Sequence, residues 1–245
     1  MSPAEQLLAA ERRARAALSA PIRDASRQLE DAVRRDSRIA AAVLLLARQT
    51  EPRLRAQLAA ALVALYAGAW RAGATLAAVE VARLGGRPAP GHAGVDHSTS
   101  ATGFAASLSA SWLLAVVAGV RAEERSPERV SLPRRLQALP QALAARVDTI
   151  AVTETAATFA EAHLDAALAA NIPPVPGLVV ARRWDAELDS ATCERCRRMD
   201  GRVIPIGQRW HPEPGRVHPR CRCIARVVRV PASQLRGLQK IRVAA

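Results

Sequence analysis

All four cysteines of this chain fall between positions 193 and 223 of its 245 residues. That constrains the fold more than any other feature, because thiols gathered in one short segment are tied either to one another or to a shared ion. Cys193 and Cys196 are separated by two residues, and the run His218-Pro219-Arg220-Cys221-Arg222-Cys223 brings three more soft ligands further on. In a reducing compartment such clustering points to a metal site rather than a disulfide framework. A two-residue spacing presents two thiolates to one tetrahedral ion from a single tight turn, and Cys221 and Cys223 project from one face of a strand. The simplest zinc site is Cys193, Cys196, Cys221 and Cys223, with His218 as a substitute for one of the latter pair. Four such ligands close the coordination sphere, so the site would be structural and not catalytic. One or two disulfides are the alternative, and the one-residue spacing of the second pair keeps it open.

Upstream of this segment the sequence reads as helix. Half of the residues are hydrophobic but only 3% are aromatic, so Ala, Leu and Val supply the apolar surface, and Ala and Leu lose little side-chain entropy in a helix. Leu7, Leu8, Glu11, Arg15 and Leu18 alternate near helical period, and Pro21 permits a new start. Asp36 or Ser37 caps a following helix, and Thr50 caps another because Pro52 suits a first turn. The long helix over 52–84 carries Ala67, Gly68, Ala72 and Gly73, small enough to admit a close partner helix. Gly, Pro, Ser and Thr over 85–103 predict a loop holding His92 and His97, both read as solvated. A helix over 104–122 follows, with Trp112 as its core anchor.

The pattern changes after the next helix. Residues 146–170 read as one amphipathic helix with Val147, Ile150, Ala151, Phe159, Leu164 and Leu168 buried, and Asn171 with Pro173, Pro174 and Pro176 stops it. Segments 178–184, 202–206 and 223–230 are rich in β-branched residues and divided by turns such as Asp200-Gly201, so they predict strands. A short helix over 231–239 closes the chain. The fold class is therefore α+β: a mainly α-helical N-terminal region over 1–125, a Pro-punctuated basic connector over 126–140 with Pro127, Pro133 and Pro140, and a small C-terminal domain over 141–245.

The formal net charge is +13, and residues 182–242 hold fifteen basic and six acidic residues, a surplus of nine. A surface this basic suits an anionic partner such as nucleic acid. The bland reading is a solvated surface on an Arg- and Ala-rich protein, since Lys240 is the only lysine. Glu5, Glu11, Arg12, Arg13 and Arg15 interrupt any apolar leader, so synthesis in the cytoplasm is expected. Read from the stretch 58–70, the apolar runs fall short of a bilayer, and no stable membrane insertion is expected.

Trp184-Asp185, Asp189, Thr192-Cys193, Cys196, Asp200-Gly201 and the His218-to-Cys223 run together resemble the signature of the phage Mu F-like head morphogenesis family. The helix segment Thr149-Ile150-Ala151-Val152-Thr153-Glu154-Thr155-Ala156 is similar to that family's Thr-Glu-Thr helix, including the acidic Glu154. The match covers about residues 146–230. The resemblance implies a minor head protein, made in several copies, that meets the portal and capsid subunits during assembly. It also implies retention in the virion beside double-stranded DNA, which the basic segment would contact through phosphates without reading sequence. Aromatic platforms for single strands are lacking, which favours duplex contact. The helices would then dock on the portal or capsid, with the connector holding the C-terminal domain at a distance.

Two rival classes stand beside this reading. An enzyme of nuclease or toxin type would draw on His211, His218, Asp189, Glu154 and the arginines, yet no nucleophile-base pair or carboxylate-rich magnesium cluster has diagnostic spacing. A zinc-stabilised DNA-binding regulator would need a recognition helix between its ligand pairs, and that helix is missing from the pattern.

Overall fold

Helix-forming alanine and leucine dominate the first 170 residues, and the computed structural model folds them into four long helices. It describes residues 3–35, 40–89, 96–125, 131–186 and 192–236. The helices are α1 (Pro3–Arg35), α2 (Ala40–Arg83), α3 (Ser98–Arg125) and α4 (Leu132–Ala169). A small antiparallel sheet follows, made of β1 (Leu178–Asp185), β2 (Val203–Pro205) and β3 (Ile224–Pro231), with short helices α5 (Glu194–Met199) and α6 (Ala232–Arg236). The α+β class is as the sequence predicts, with the cysteines in the sheet-bearing part.

Proline does not punctuate the helices as expected. Pro21, Pro52 and Pro140 all lie inside helices, although each removes a hydrogen bond and costs about 3 kcal/mol in a helix interior. Burial on both sides outweighs that cost: Leu18 and Ile22 flank Pro21, Ala47 and Leu54 flank Pro52, and Leu139 and Leu143 flank Pro140, all buried. Thr50 is consequently no cap, and its hydroxyl donates back to the Leu46 carbonyl at 2.8 Å within α2. Residues 132–140 are helix and not connector for the same reason, whereas Pro127 lies outside the described residues, as do Asp36, Ser37 and His92.

Two compact units emerge, each assembled from separated stretches, so neither follows the expected cut at 126–140. One comprises residues 11–65 and 96–151. Its core includes Leu18, Leu58, Leu108, Leu136 and the fully buried Trp112. The Trp112 indole donates to Ser26 Oγ at 3.2 Å, and Ser26 donates onward to the Ile22 carbonyl. Trp112 is thus the anchor that the sequence predicts.

The other unit comprises residues 1–10, 66–95 and 152–245, and it positions the site. Its strand order is β2-β1-β3, with Arg182 opposite both Val227 and Ile204. Val227 and Val180 pack with Ala77 of α2 and Ala167 of α4, while Val203, Ala181 and Val230 pack with Leu235 of α6. Arg87 and Asn171 exchange both backbone hydrogen bonds, at 2.9 and 3.1 Å, and so tie the end of α2 to the end of α4. Leu168, expected in the core, is 47% exposed because the buried stripe of this turn runs through Leu164 and Ala167.

The close helix partner that the small residues anticipate is α4 itself. A Cβ on Gly73 would lie 2.2 Å from the Phe159 carbonyl oxygen, whereas one on Gly68 would meet nothing within 4 Å. Gly73→Ala is therefore expected to destabilise by about 1–3 kcal/mol through overpacking. Gly68→Ala should stabilise by up to about 1 kcal/mol through helix propensity. Thermal denaturation of both variants checks the contrast, and equal midpoints would mean the helices separate at no cost.

The apolar runs are longer than the stretch 58–70 suggests. Residues 98–120 carry no charge, a longer uncharged run than 58–70. Among the described residues, two helices, Ala42–Arg83 and Ser98–Ala122, are long and apolar enough to cross a bilayer by length and composition alone.

Candidate metal centre

The site is built by two turns that the sheet holds together. In the first, Cys193 caps α5 and its sulfur accepts from Cys196 N at 3.4 Å, so the two-residue spacing closes through an N–H···S contact. The end of α5 is fixed by the Asp200-Gly201 turn, where Gly201 takes φ +73°, a region that costs glycine little. Gly201 N donates to the Trp184 carbonyl at 2.9 Å, and Trp184 N donates to the Arg202 carbonyl at 2.8 Å. Asp200 also accepts from Ala186 N, so α5 is pinned to the end of β1.

The second turn is His218-Pro219-Arg220-Cys221. Cys221 N donates to the His218 carbonyl at 3.1 Å, and Arg220 sits at φ 65°, a left-handed conformation uncommon for a side chain with Cβ. What holds it is α4, because Arg220 N donates to Thr153 Oγ1 at 2.9 Å. Nearby, Gly215 at φ +80° lies so close to α4 that a Cβ would stand 2.9 Å from the Ala156 carbonyl oxygen. Thr153 and Ala156 belong to the Thr-Glu-Thr segment, so this helix and the cysteine loop are locked together.

All five expected ligands converge. Donor atoms of Cys193, Cys196 and His218 lie within 4.8 Å of one another, as do those of Cys196, Cys221 and Cys223. Cys196 Sγ stands 3.5 Å from His218 Nε2 and 3.9 Å from Cys221 Sγ. A tetrahedral ion with bonds of about 2.3 Å to sulfur and 2.0–2.1 Å to nitrogen implies S···N and S···S edges of about 3.5 and 3.8 Å. The observed edges fit that ion. The four thiols are free, and the 3.9 Å separation is far from the S–S bond of about 2.05 Å that the disulfide alternative requires. The cluster can therefore hold a metal ion.

Protonation sharpens the donor set. His218 Nδ1 lies 2.7 Å from the Pro219 carbonyl, so Nδ1–H donates to it and the Nε2 lone pair is left facing Cys196, the arrangement usual for a metal-ligating imidazole. The Cys196 amide is the main influence holding the Cys193 thiol below its ordinary range. A hydrogen bond from Cys223 brings Cys221 down to about 5, and the same bond with burial pushes Cys223 up. Burial, ahead of the neighbouring thiols, pushes Cys196 up to about 12.

The wall of the centre is a small core of Trp184, Ala186, Trp210 and Ala225 around Cys196, Cys221 and Cys223. Trp184 and Trp210 meet edge to face with centroids 5.3 Å apart. Arg182, 1% exposed, lies over the Trp210 ring at 4.9 Å and pairs with Glu213 at 2.8 and 3.1 Å. The sequence reading counts Arg182 as part of a basic surface, and its partners make it a core residue instead.

Other expected residues are elsewhere. Glu154 accepts from the Tyr66 hydroxyl at 2.9 Å, His211 is exposed, and Asp189 lies outside the described residues. A second polar centre escapes the sequence reading altogether. The buried Glu80 receives His163 Nε2 at 2.8 Å, the Val227 amide at 2.9 Å and the Arg226 guanidinium. The available signal is a single acidic residue inside the apolar run Ala77 to Val81, facing a histidine on another apolar helix face.

Fold and site together define an α+β protein with a Cys/His metal-type centre. No known protein family, curated protein or solved structure matches the chain.

Proposed function

We propose that the chain is a phage minor head protein of the Mu F-like kind, carrying a structural zinc and meeting the portal, capsid subunits and packaged DNA inside the head. The observation that carries this reading is the Trp184-to-Cys223 signature together with the Thr-Glu-Thr helix. What supports it further is that these two stretches are hydrogen-bonded to each other through Thr153 and Arg220, as parts of one functional motif would be. Zinc is favoured among metals by the soft, sulfur-rich tetrahedral donor set. Its role would be structural, since four protein donors leave no open position for water.

DNA contact rests on fewer arginines than the sequence count suggests. Arg182 pairs with Glu213, Arg226 with Glu80 and Asp185, and Arg216 with Glu161. Arg183, Arg195, Arg202 and Arg209 are exposed, and they carry this part of the reading. If each neutralises one phosphate, log affinity for duplex DNA should fall with log salt at a slope of about −3 to −4. Replacing all four by glutamine should flatten the slope, and affinity indifferent to salt would remove the DNA contact.

The function itself is tested by locating the protein in purified particles. A small number of copies at the portal vertex of procapsids or virions is the expected result, and absence from both would sink the reading.

A further inference from the structure

The five donors of the centre form two trios that share one atom. Those of Cys193, Cys196 and His218 lie within 4.8 Å of one another, as do those of Cys196, Cys221 and Cys223, and among the described residues no four donors are all that close. The Cys196 sulfur is the common vertex, 3.5 Å from His218 Nε2 in one trio and 3.9 Å from Cys221 Sγ in the other. The turn from His218 to Cys221 sends one end to each trio, and the Pro219 carbonyl leaves the Nε2 lone pair of His218 facing the shared sulfur. The first trio is the outer one, with Cys193 and His218 half-buried. The second is the inner one, with Cys196, Cys221 and Cys223 only 2%, 1% and 3% exposed.

A single tetrahedral ion needs four donors with every pair about 3.5–3.8 Å apart, so it has to draw the outer and inner donors together. Two three-coordinate ions take each trio nearly as it stands, because planar bonds of about 2.3 Å to sulfur imply S···S separations of about 4.0 Å. Zinc does not stop at three donors, but copper(I), a soft ion with a filled d shell that favours thiolate, is satisfied by three. We propose that the centre also accepts a pair of monovalent soft metal ions of the copper(I) kind, one in each trio, with the Cys196 sulfur bridging them. The proposal rests on the reading of this cluster as a metal site and goes beyond a single zinc. Four thiolates and a neutral imidazole carry four negative charges, and two monovalent ions offset as many of them as one zinc does. The surrounding protein therefore meets the same net charge with either filling. Each thiol gives up its proton to solvent as the ions enter, and no electron is transferred.

The test adds copper(I), without oxygen, to the reduced full-length protein loaded with zinc. A chromogenic chelator in excess keeps free copper low enough that isolated side chains elsewhere stay empty. The wild type should take up two copper ions per chain as its zinc is released, and X-ray absorption should show three-coordinate copper with a copper–copper vector. His218→Ala and Cys193→Ser, both altered on the half-buried side, should each drop to one ion held by three sulfurs. Cys223→Ser should also drop to one, held by two sulfurs and one nitrogen. Uptake of a single ion by the wild type would overturn the proposal, as would two ions with no copper–copper vector. So would two ions retained by His218→Ala and Cys193→Ser, because the outer trio would then not be a site. A wild type that binds one zinc and one copper(I) sinks the paired filling alone, whereas one that takes up neither metal removes the metal reading itself.

Discussion

Cys196→Ala is expected to abolish metal uptake and unfold the cysteine-bearing segment, while the far-ultraviolet signal of α1 to α4 largely persists. Cys196 is the one residue common to both donor trios, and it is buried with Trp184 and Trp210. Losing it removes both close donor contacts, to His218 and to Cys221, at once. Apparent binding free energies of about 10–16 kcal/mol are typical of structural zinc, large beside the whole stability of a domain, about 5–15 kcal/mol. The readout is metal content together with near-ultraviolet dichroism, because Trp184 and Trp210 sit in the affected cluster. A chelator should reproduce the effect in the wild type. Since burial pushes the Cys196 thiol up to about 12, an ion must displace its proton, and affinity should fall as pH is lowered. A variant that still binds one ion and keeps its aromatic signal would dismiss the centre as a structural element.

The parts of this architecture that can be read from the sequence are those set by local chemistry. The β-branched runs become β1, β2 and β3 within a residue or so, the Asp200-Gly201 pair makes its turn, and the five donors meet. The parts that resist are decided by distant packing. Helices cross Pro21, Pro52 and Pro140 because apolar residues on both sides are buried, which no local rule registers. The sequence reading offers His218 only as a substitute ligand, and its place beside Cys196 is decided by the turn that follows it. That place becomes visible only when the backbone turn and the Pro219 carbonyl orient the imidazole. Arg182 looked like surface charge because its carboxylate partner, Glu213, lies 31 positions away in sequence.

Glu80 is the residue whose loss should be felt most outside the metal centre. Its carboxylate is 4% exposed and joins its own helix α2 to α4 through His163 and to β3 through the Val227 amide and Arg226. As a carboxylate it only accepts, so His163 presents Nε2–H to it. The Val227 bond also satisfies an amide on the outer edge of β3, which would otherwise be open to another strand. Breaking a buried charged pair by removing one partner typically costs about 3–5 kcal/mol, and Glu80→Gln is expected to fall in that range in thermal or denaturant unfolding at neutral pH. The pH dependence gives an independent check. Burial alone would raise the Glu80 carboxyl, but the His163 hydrogen bond, the Val227 amide and Arg226 overcome it and hold the group below its ordinary range. A depressed value in the folded state contributes stability above the ordinary glutamate pKa of about 4.3 and loses it as pH falls through the folded value. Wild type should therefore be the more stable protein at neutral pH, and its advantage over Glu80→Gln should shrink in acid below about pH 4. Equal stability at neutral pH, or an advantage that persists unchanged in acid, would mean that the charge on Glu80 does not hold these elements together.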